Sequence, residues 1–172
     1  MIQNSRNTIK RAYLLMGGNL GNPETQFLRA QQLIRERCGQ VLLSSSLYAT
    51  APWGPIEQND FLNQALIVAT PLSPSELMTN LLKIEQDLGR ERTVKMGPRL
   101  IDIDLLLLDD WVVDVPGLQV PHALLTERRF ALMPLAEIAP HLVHPQTGKT
   151  MLAHLVACSD SGDVQKKAFR HE

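Results

Sequence analysis

Two aspartates, Asp102 and Asp104, stand inside the apolar run Ile101-Asp102-Ile103-Asp104-Leu105-Leu106-Leu107-Leu108. The run follows a basic turn, Gly97-Pro98-Arg99, and reads as a central strand. Side chains alternate along a strand, so the two carboxylates share a face, about 7 Å apart. Like charges buried side by side are costly and call for a cationic partner. Mg²⁺ takes oxygen ligands, usually one or two carboxylates with substrate phosphates and water. Pairing with arginine, or exposure at a sheet edge, would satisfy the same two residues. Arg90, Arg92, Lys95 and Arg99 crowd the loop just before the pair, relieved only by Glu91. Such a run is either a solvated face or, with carboxylates and metal beside it, a polyphosphate site under a mobile lid. The aromatics are few; Trp53, Phe61 and Phe130 suit the core individually, and a pair of them near the polyphosphate could sandwich a flat heterocycle.

Other motifs carry less. Gln146-Thr147-Gly148-Lys149-Thr150 looks like the end of a P-loop, but Val143 stands where the first glycine is required. Gly17-Gly18-Asn19-Leu20-Gly21-Asn22 lacks the dinucleotide fingerprint and reads as a turn, plain or allowing backbone to approach a ligand. His141 and His144 lack further ligands and read as loop residues.

The elements that must position these residues follow in order. Arg11–Met16 is predicted as a strand, then a helix capped by Asn22 with Pro23 first and Gly39 as its stop. Val41–Tyr48 and Phe61–Ala69 are strands on either side of a long loop, Thr50–Asp60. Ser73-Pro74-Ser75-Glu76 is a capping box, and Leu77, Leu81, Ile84 and Leu88 mark one face of the helix that it opens. The Asp-bearing strand comes next. The β-α-β-β-α-β order predicts an α+β fold with a ferredoxin-like core, a four-stranded antiparallel sheet with helices packed on one face. After it, Trp111–Val113 and Leu118–Val120 read as a hairpin around Pro116-Gly117, with one short helix from near Pro134 to Pro140 and another from Met151 to Ala157. Residues 1–7 and 160–172 read as flexible tails of a single domain spanning 1–172.

Composition fits an ordinary globular domain: 172 residues, 44% hydrophobic, 20% charged, net charge −1. That charge gives no general reason for binding nucleic acid or an anionic membrane. Cys38 and Cys158 have no metal-ligand spacing, and no stretch has the length of a membrane span or of a signal-peptide core. The expectation is a cytoplasmic monomer acting on small molecules.

Taken together, these residues resemble a known family. Gly97-Pro98-Arg99-x-x-Asp102-x-Asp104-Leu105-Leu106 is similar to the signature of the 6-hydroxymethyl-7,8-dihydropterin pyrophosphokinases. Gly17-Gly18-Asn19-Leu20, Tyr48–Pro55, Phe61-Leu62-Asn63, Ile84-Glu85, Gly89-Arg90, Val120-Pro121-His122, Arg128-Arg129-Phe130 and Pro134–Pro140 extend the likeness over residues 10 to 158. The resemblance implies transfer of diphosphate from ATP to 6-hydroxymethyl-7,8-dihydropterin, with AMP leaving and the product entering folate synthesis. It also implies that Asp102 and Asp104 ligate two Mg²⁺ ions and that Arg90 and Arg92 act in catalysis. Glu85, Arg99, Leu105, His122 and Arg128 are implied as nucleotide or phosphate contacts. Thr50, Ala51, Trp53, Phe61, Asn63 and Phe130 are implied as pterin contacts. Met96 stands where the family commonly has tryptophan, and Ala123 where it can have an aromatic. A pterin- or nucleotide-binding module without catalysis is the alternative from another class.

Overall fold

The computed structural model describes residues 8–52, 54–90 and 97–167. Its chain is a mixed α+β fold built on an antiparallel sheet. Strand β1 (Lys10–Gly18) pairs with β4 (Phe61–Thr70) on one side and β5 (Asp102–Leu108) on the other. β2 (Gln40–Ser44) and β3 (Tyr48–Thr50) both pair with β4, and β8 (Val164–Lys166) closes the edge beside β3. Among the described residues the sheet therefore has six strands rather than the expected four.

Two local causes account for the difference. The segment read as one strand, Val41–Tyr48, is broken at Ser45, whose backbone N–H donates to Ala65 O while its hydroxyl accepts from Ala65 N–H, at 2.9 Å each. A serine hydroxyl bonding to backbone in this way interrupts a regular ladder. The polar stretch from Asp160, expected to fray, instead supplies β8, because β3 offers an open row of backbone donors and acceptors.

Helix α1 (Pro23–Arg37) starts as its signals predict, with the Asn22 side chain accepting from Thr25 N–H. Helix α2 (Pro74–Asp87) has Ser73 as its cap, accepting from Glu76 N–H. Their apolar faces (Phe27, Ala30, Ile34; Leu77, Leu81, Ile84) pack on Ala12, Leu14 and Met16 of β1 and on Leu62, Leu66 and Val68 of β4. The alternate residues Tyr13, Leu15, Ala65 and Ile67 face the other way, and there α3 (Arg129–Ile138) and α4 (Met151–Ala157) cover them. Helices thus lie on both faces, not one. Helix α3 begins five residues before Pro134, which sits inside it. Proline favours the first helical position, so the sequence suggested a later start. Here the burial of Ala131, Leu132, Leu135 and Ala136 offsets the hydrogen bond that Pro134 cannot make.

The hairpin forms with its first strand, β6, at Val113–Val115 rather than Trp111–Val113, because Trp111 N–H closes a turn on Leu108 O; β7 (Leu118–Val120) follows after Gly117 with φ +79°. Among the described residues, no helix is long and apolar enough to cross a membrane.

Candidate active site

On the α3 side of the sheet, the neighbouring strands and the start of α3 enclose a cavity of about 120 Å³. Its lining is Leu15 and Gly17 of β1, Thr50 and Ala51 at the end of β3, Phe61 and Asn63 of β4, Arg99, Asp102 and Asp104, and Arg128 and Phe130 at α3. Strand register explains the convergence. Leu15 lies opposite Asp104 and Gly17 opposite Asp102 on β5, while Gly17 lies opposite Asn63 on β4. Alternation then turns all of these side chains to one face. A side chain at Gly17 would crowd Asn63 Oδ1, at 3.1 Å from the added Cβ.

Asp102 is held by arginines: Arg99 Nη1 pairs with its Oδ2, and Arg90 Nη2 lies 3.2 Å from its Oδ1. Arg90 also pairs with Glu85, whose Oε1 accepts from Ile103 N–H at 2.6 Å. The result is a line of alternating charge, Glu85–Arg90–Asp102–Arg99, running from α2 through the sheet edge to the cavity. Burial raises the Glu85 carboxyl above its ordinary range, against the Ile103 hydrogen bond and the Arg90 charge. Burial also raises Asp104, and neighbouring Asp102 adds to it, while His122, Arg128 and Arg99 oppose. His122 is lowered by burial, with Asp104 opposing and Arg128 reinforcing the shift. Its Nδ1 accepts from Leu124 N–H at 3.2 Å, which leaves a neutral His122 its proton on Nε2.

Each aromatic wall carries an arginine. The Arg99 guanidinium lies 5.7 Å from the Phe61 ring centre, and that of Arg128 lies 5.5 Å from the centre of Phe130. Asn63 Nδ2 donates to Thr50 Oγ1 at 3.1 Å between them.

The predicted residues divide accordingly. Thr50, Ala51, Phe61, Asn63, Arg99, Asp102, Asp104, Arg128 and Phe130 line one cavity. Arg90 and Glu85 stand behind Asp102, and His122 is near enough to Asp104 to influence it. The side chain of Leu105 packs in the core beneath α1 and α2, on the opposite face from the aspartates. Trp53 and Arg92 lie outside the described residues.

The sequence reading missed Leu15 as a lining residue and left Gly17 as a turn residue. Alternation could have placed both on one face, but only the β1–β5 register sets them against the aspartates. It also missed the work of Asn19, which is 5% exposed. The Asn19 side chain donates to Gln58 Oε1 and Asn59 O, at 2.9 Å each, and accepts from Arg99 N–H at 3.0 Å. It thus fastens the loop before Phe61 to the basic turn.

The oxygen-only donor set bears on metal. Among the described residues, no group of three or more potential metal-ligating His, Cys, Asp or Glu side chains exists, which leaves the two aspartates. Two carboxylates at an open cavity fit Mg²⁺ completed by substrate phosphates and water rather than a closed protein cage.

Known proteins share this chain's sequence and fold. Residues 13–140 match the family described as 7,8-dihydro-6-hydroxymethylpterin-pyrophosphokinase. The 2-amino-4-hydroxy-6-hydroxymethyldihydropteridine pyrophosphokinase of Methylorubrum extorquens is 40% identical over 88% of this chain and 96% of its own length. That of Pseudomonas aeruginosa is 38% identical over 90% of this chain and 95% of its own. The chain spans only 20% of the folic acid synthesis protein of Dictyostelium discoideum, at 37% identity. In structure it is similar to a triple mutant of Plasmodium falciparum HPPK-DHPS, with a TM-score of 0.74. That match covers 88% of this chain and 44% of the other, and at 16% identity it shows likeness of fold. By sequence, therefore, the chain belongs to the 7,8-dihydro-6-hydroxymethylpterin-pyrophosphokinase family.

Proposed function

We propose that the protein transfers the β,γ-diphosphate of ATP to the hydroxymethyl group of 6-hydroxymethyl-7,8-dihydropterin, a step of folate biosynthesis. The observation that carries the reading is the meeting, in one cavity, of an aspartate pair with arginines and of two aromatic walls with a polar edge. The first half suits a metal-bound polyphosphate and the second a flat heterocycle.

In this reading Phe61 and Phe130 stack on the pterin, while Asn63, Thr50 and Ala51, with Trp53, read its polar rim. Arg90, Arg99 and Arg128 hold phosphates, and Arg92 joins them from the loop. Glu85, His122 and the Leu105 backbone complete the nucleotide contacts. Asp102 and Asp104 would hold two Mg²⁺ ions, which neutralise polyphosphate charge. The hydroxymethyl oxygen forms a bond to the β-phosphorus as the bond from that phosphorus to the α,β-bridging oxygen breaks. AMP leaves with the electron pair, and the hydroxyl proton is released to water. No side chain among the described residues is assigned as general base, and this chain works by positioning and by preset charge.

Arg90 and Arg99 already engage Asp102. Phosphate oxygens of the nucleotide would take these arginines over from Asp102, which conserves charge pairing and would leave its carboxylate to a metal ion. The enzyme is read as a cytoplasmic monomer, and its core as a ferredoxin-like unit in which β2 and β3 together fill one strand position. The test is direct: purified protein with ATP, Mg²⁺ and 6-hydroxymethyl-7,8-dihydropterin should release AMP in proportion to the pterin. Failure to release pterin-dependent AMP overturns the reading.

A further inference from the structure

The segment after α4 lies beyond residues 13–140, which the family match covers, yet it is tied to both walls of the ring side of the cavity. At one end, Asp160 Oδ2 accepts from Arg129 N–H at 3.1 Å, at the first residue of α3. Arg129 Nε donates back to Asp160 O at 2.9 Å. Arg129 sits between Arg128 and Phe130, which line the cavity. At the other end, β8 pairs with β3 in the register Tyr48↔Lys166, Ala49↔Gln165, Thr50↔Val164. Lys167 N–H extends the ladder to Leu47 O at 2.8 Å. Thr50 and the following Ala51 form the facing wall.

A second tie joins the same two elements at the far end of α3. Glu137 accepts from the Ser46 hydroxyl at 2.8 Å, from Ser46 N–H at 3.1 Å and from the Tyr48 hydroxyl at 2.5 Å. Lys166 Nζ of β8 lies 3.9 Å from the same carboxylate. β3 has only three residues, so its ladder to β4 is short, and the β8 ladder and Glu137 add to what holds it. The aspartate wall is fastened differently, through the β1–β5 ladder and through Asn19. The strap therefore acts on one side of the cavity and leaves the other to its own ties.

We propose that the C-terminal strap, residues 158–167, sets the gap between Thr50–Ala51 and Phe130, with Asp160 and Glu137 as positioning residues, and so governs affinity for the flat ring more than for the nucleotide, which this wall meets through Arg128. The inference rests on the proposed pterin site. Its test compares the full chain with Asp160→Ala, Asp160→Asn and a chain ending at Cys158. Binding of 6-hydroxymethylpterin is followed by its fluorescence, and binding of ATP with Mg²⁺ by equilibrium dialysis.

Loss of the strap should weaken pterin binding about tenfold, as expected for one or two charge-assisted hydrogen bonds. Asp160→Ala should show a smaller loss, and Asp160→Asn, which keeps an acceptor for Arg129 N–H, should recover most of it. Nucleotide affinity, to which Arg128 contributes from this wall, should fall much less than pterin affinity, and in turnover KM for pterin should rise with little change in kcat. Unchanged pterin affinity in both Asp160→Ala and the shortened chain overturns the inference, as does an equal loss for both ligands. A full-length chain that binds no pterin overturns the proposed function, and the inference with it.

Discussion

Replacing Asp104 by asparagine should remove activity while leaving the ligand-free protein at least as stable. Asp104 carries a raised carboxyl because it is buried and because Asp102 lies on the same face of β5. Two charges about 7 Å apart at an effective dielectric constant of about 20 repel by about 2 kcal/mol. His122, Arg128 and Arg99 return part of that. The neutral amide keeps the shape and loses the repulsion, so a net gain of about 1 kcal/mol is expected, equivalent to about 2–4 °C in Tm for a chain of this size. Activity should move the other way. A lost metal ligand removes several kcal/mol of transition-state stabilisation, or about three orders of magnitude in turnover. The assays are melts at neutral pH with chelator and with Mg²⁺ plus ATP, and AMP release from ATP and dihydropterin. The wild-type chain should be stabilised by Mg²⁺ with ATP and the variant much less. Turnover within tenfold of wild type would refute the ligand role, and a fall in Tm of several degrees would refute the electrostatic argument.

Gly18→Ala should destabilise the protein by about 1–3 kcal/mol, read by urea unfolding. An added Cβ would stand 2.5 Å from the backbone oxygen of Leu100, just ahead of the aspartates, so the strand must shift. Glu85→Ala leaves the Ile103 N–H without its acceptor and Arg90 with Asp102 alone, and should cost about 2 kcal/mol by the same measurement. Stability should fall with acid at Glu137. Burial pushes this carboxyl up, but hydrogen bonds from Tyr48 and Ser46, with Lys166 nearby, together hold it below its ordinary range. A lowered folded value means that its contribution is present above the unfolded value and is lost as pH drops through the folded one. Melts taken downward from about pH 5 should show this slope, and Glu137→Gln should flatten it. Burial pushes the Cys38 thiol up to about 11, against the lowering effect of Arg37. A thiol reagent at about pH 8 should therefore modify the half-buried Cys158 first and reach Cys38 only on unfolding.

The sequence by itself determined what depends on near neighbours. Asn22 and Ser73 fix where α1 and α2 begin, because a cap acts within one turn. Alternation puts Asp102 and Asp104 on one face of β5, because the side-chain period of a strand is two residues. The Gly97–Leu106 signature identified the family, since metal, phosphate and strand each require specific residues at short spacing.

Only the tertiary structure decided what depends on partners far along the chain. Strand register set Leu15 and Gly17 against the aspartates, and nothing local to β1 encodes it. Ser45 broke a strand by bonding to Ala65, and Pro134 stayed inside α3 because the sheet beneath that helix buries its neighbours. A polar tail became β8 because β3 left a ladder open. Leu105 turned to the core while the aspartates turned to the cavity, a choice made by which face α1 and α2 cover. Side-chain type and spacing specify chemistry, whereas the side of the sheet on which that chemistry converges is fixed by the packing of distant apolar surfaces against one another.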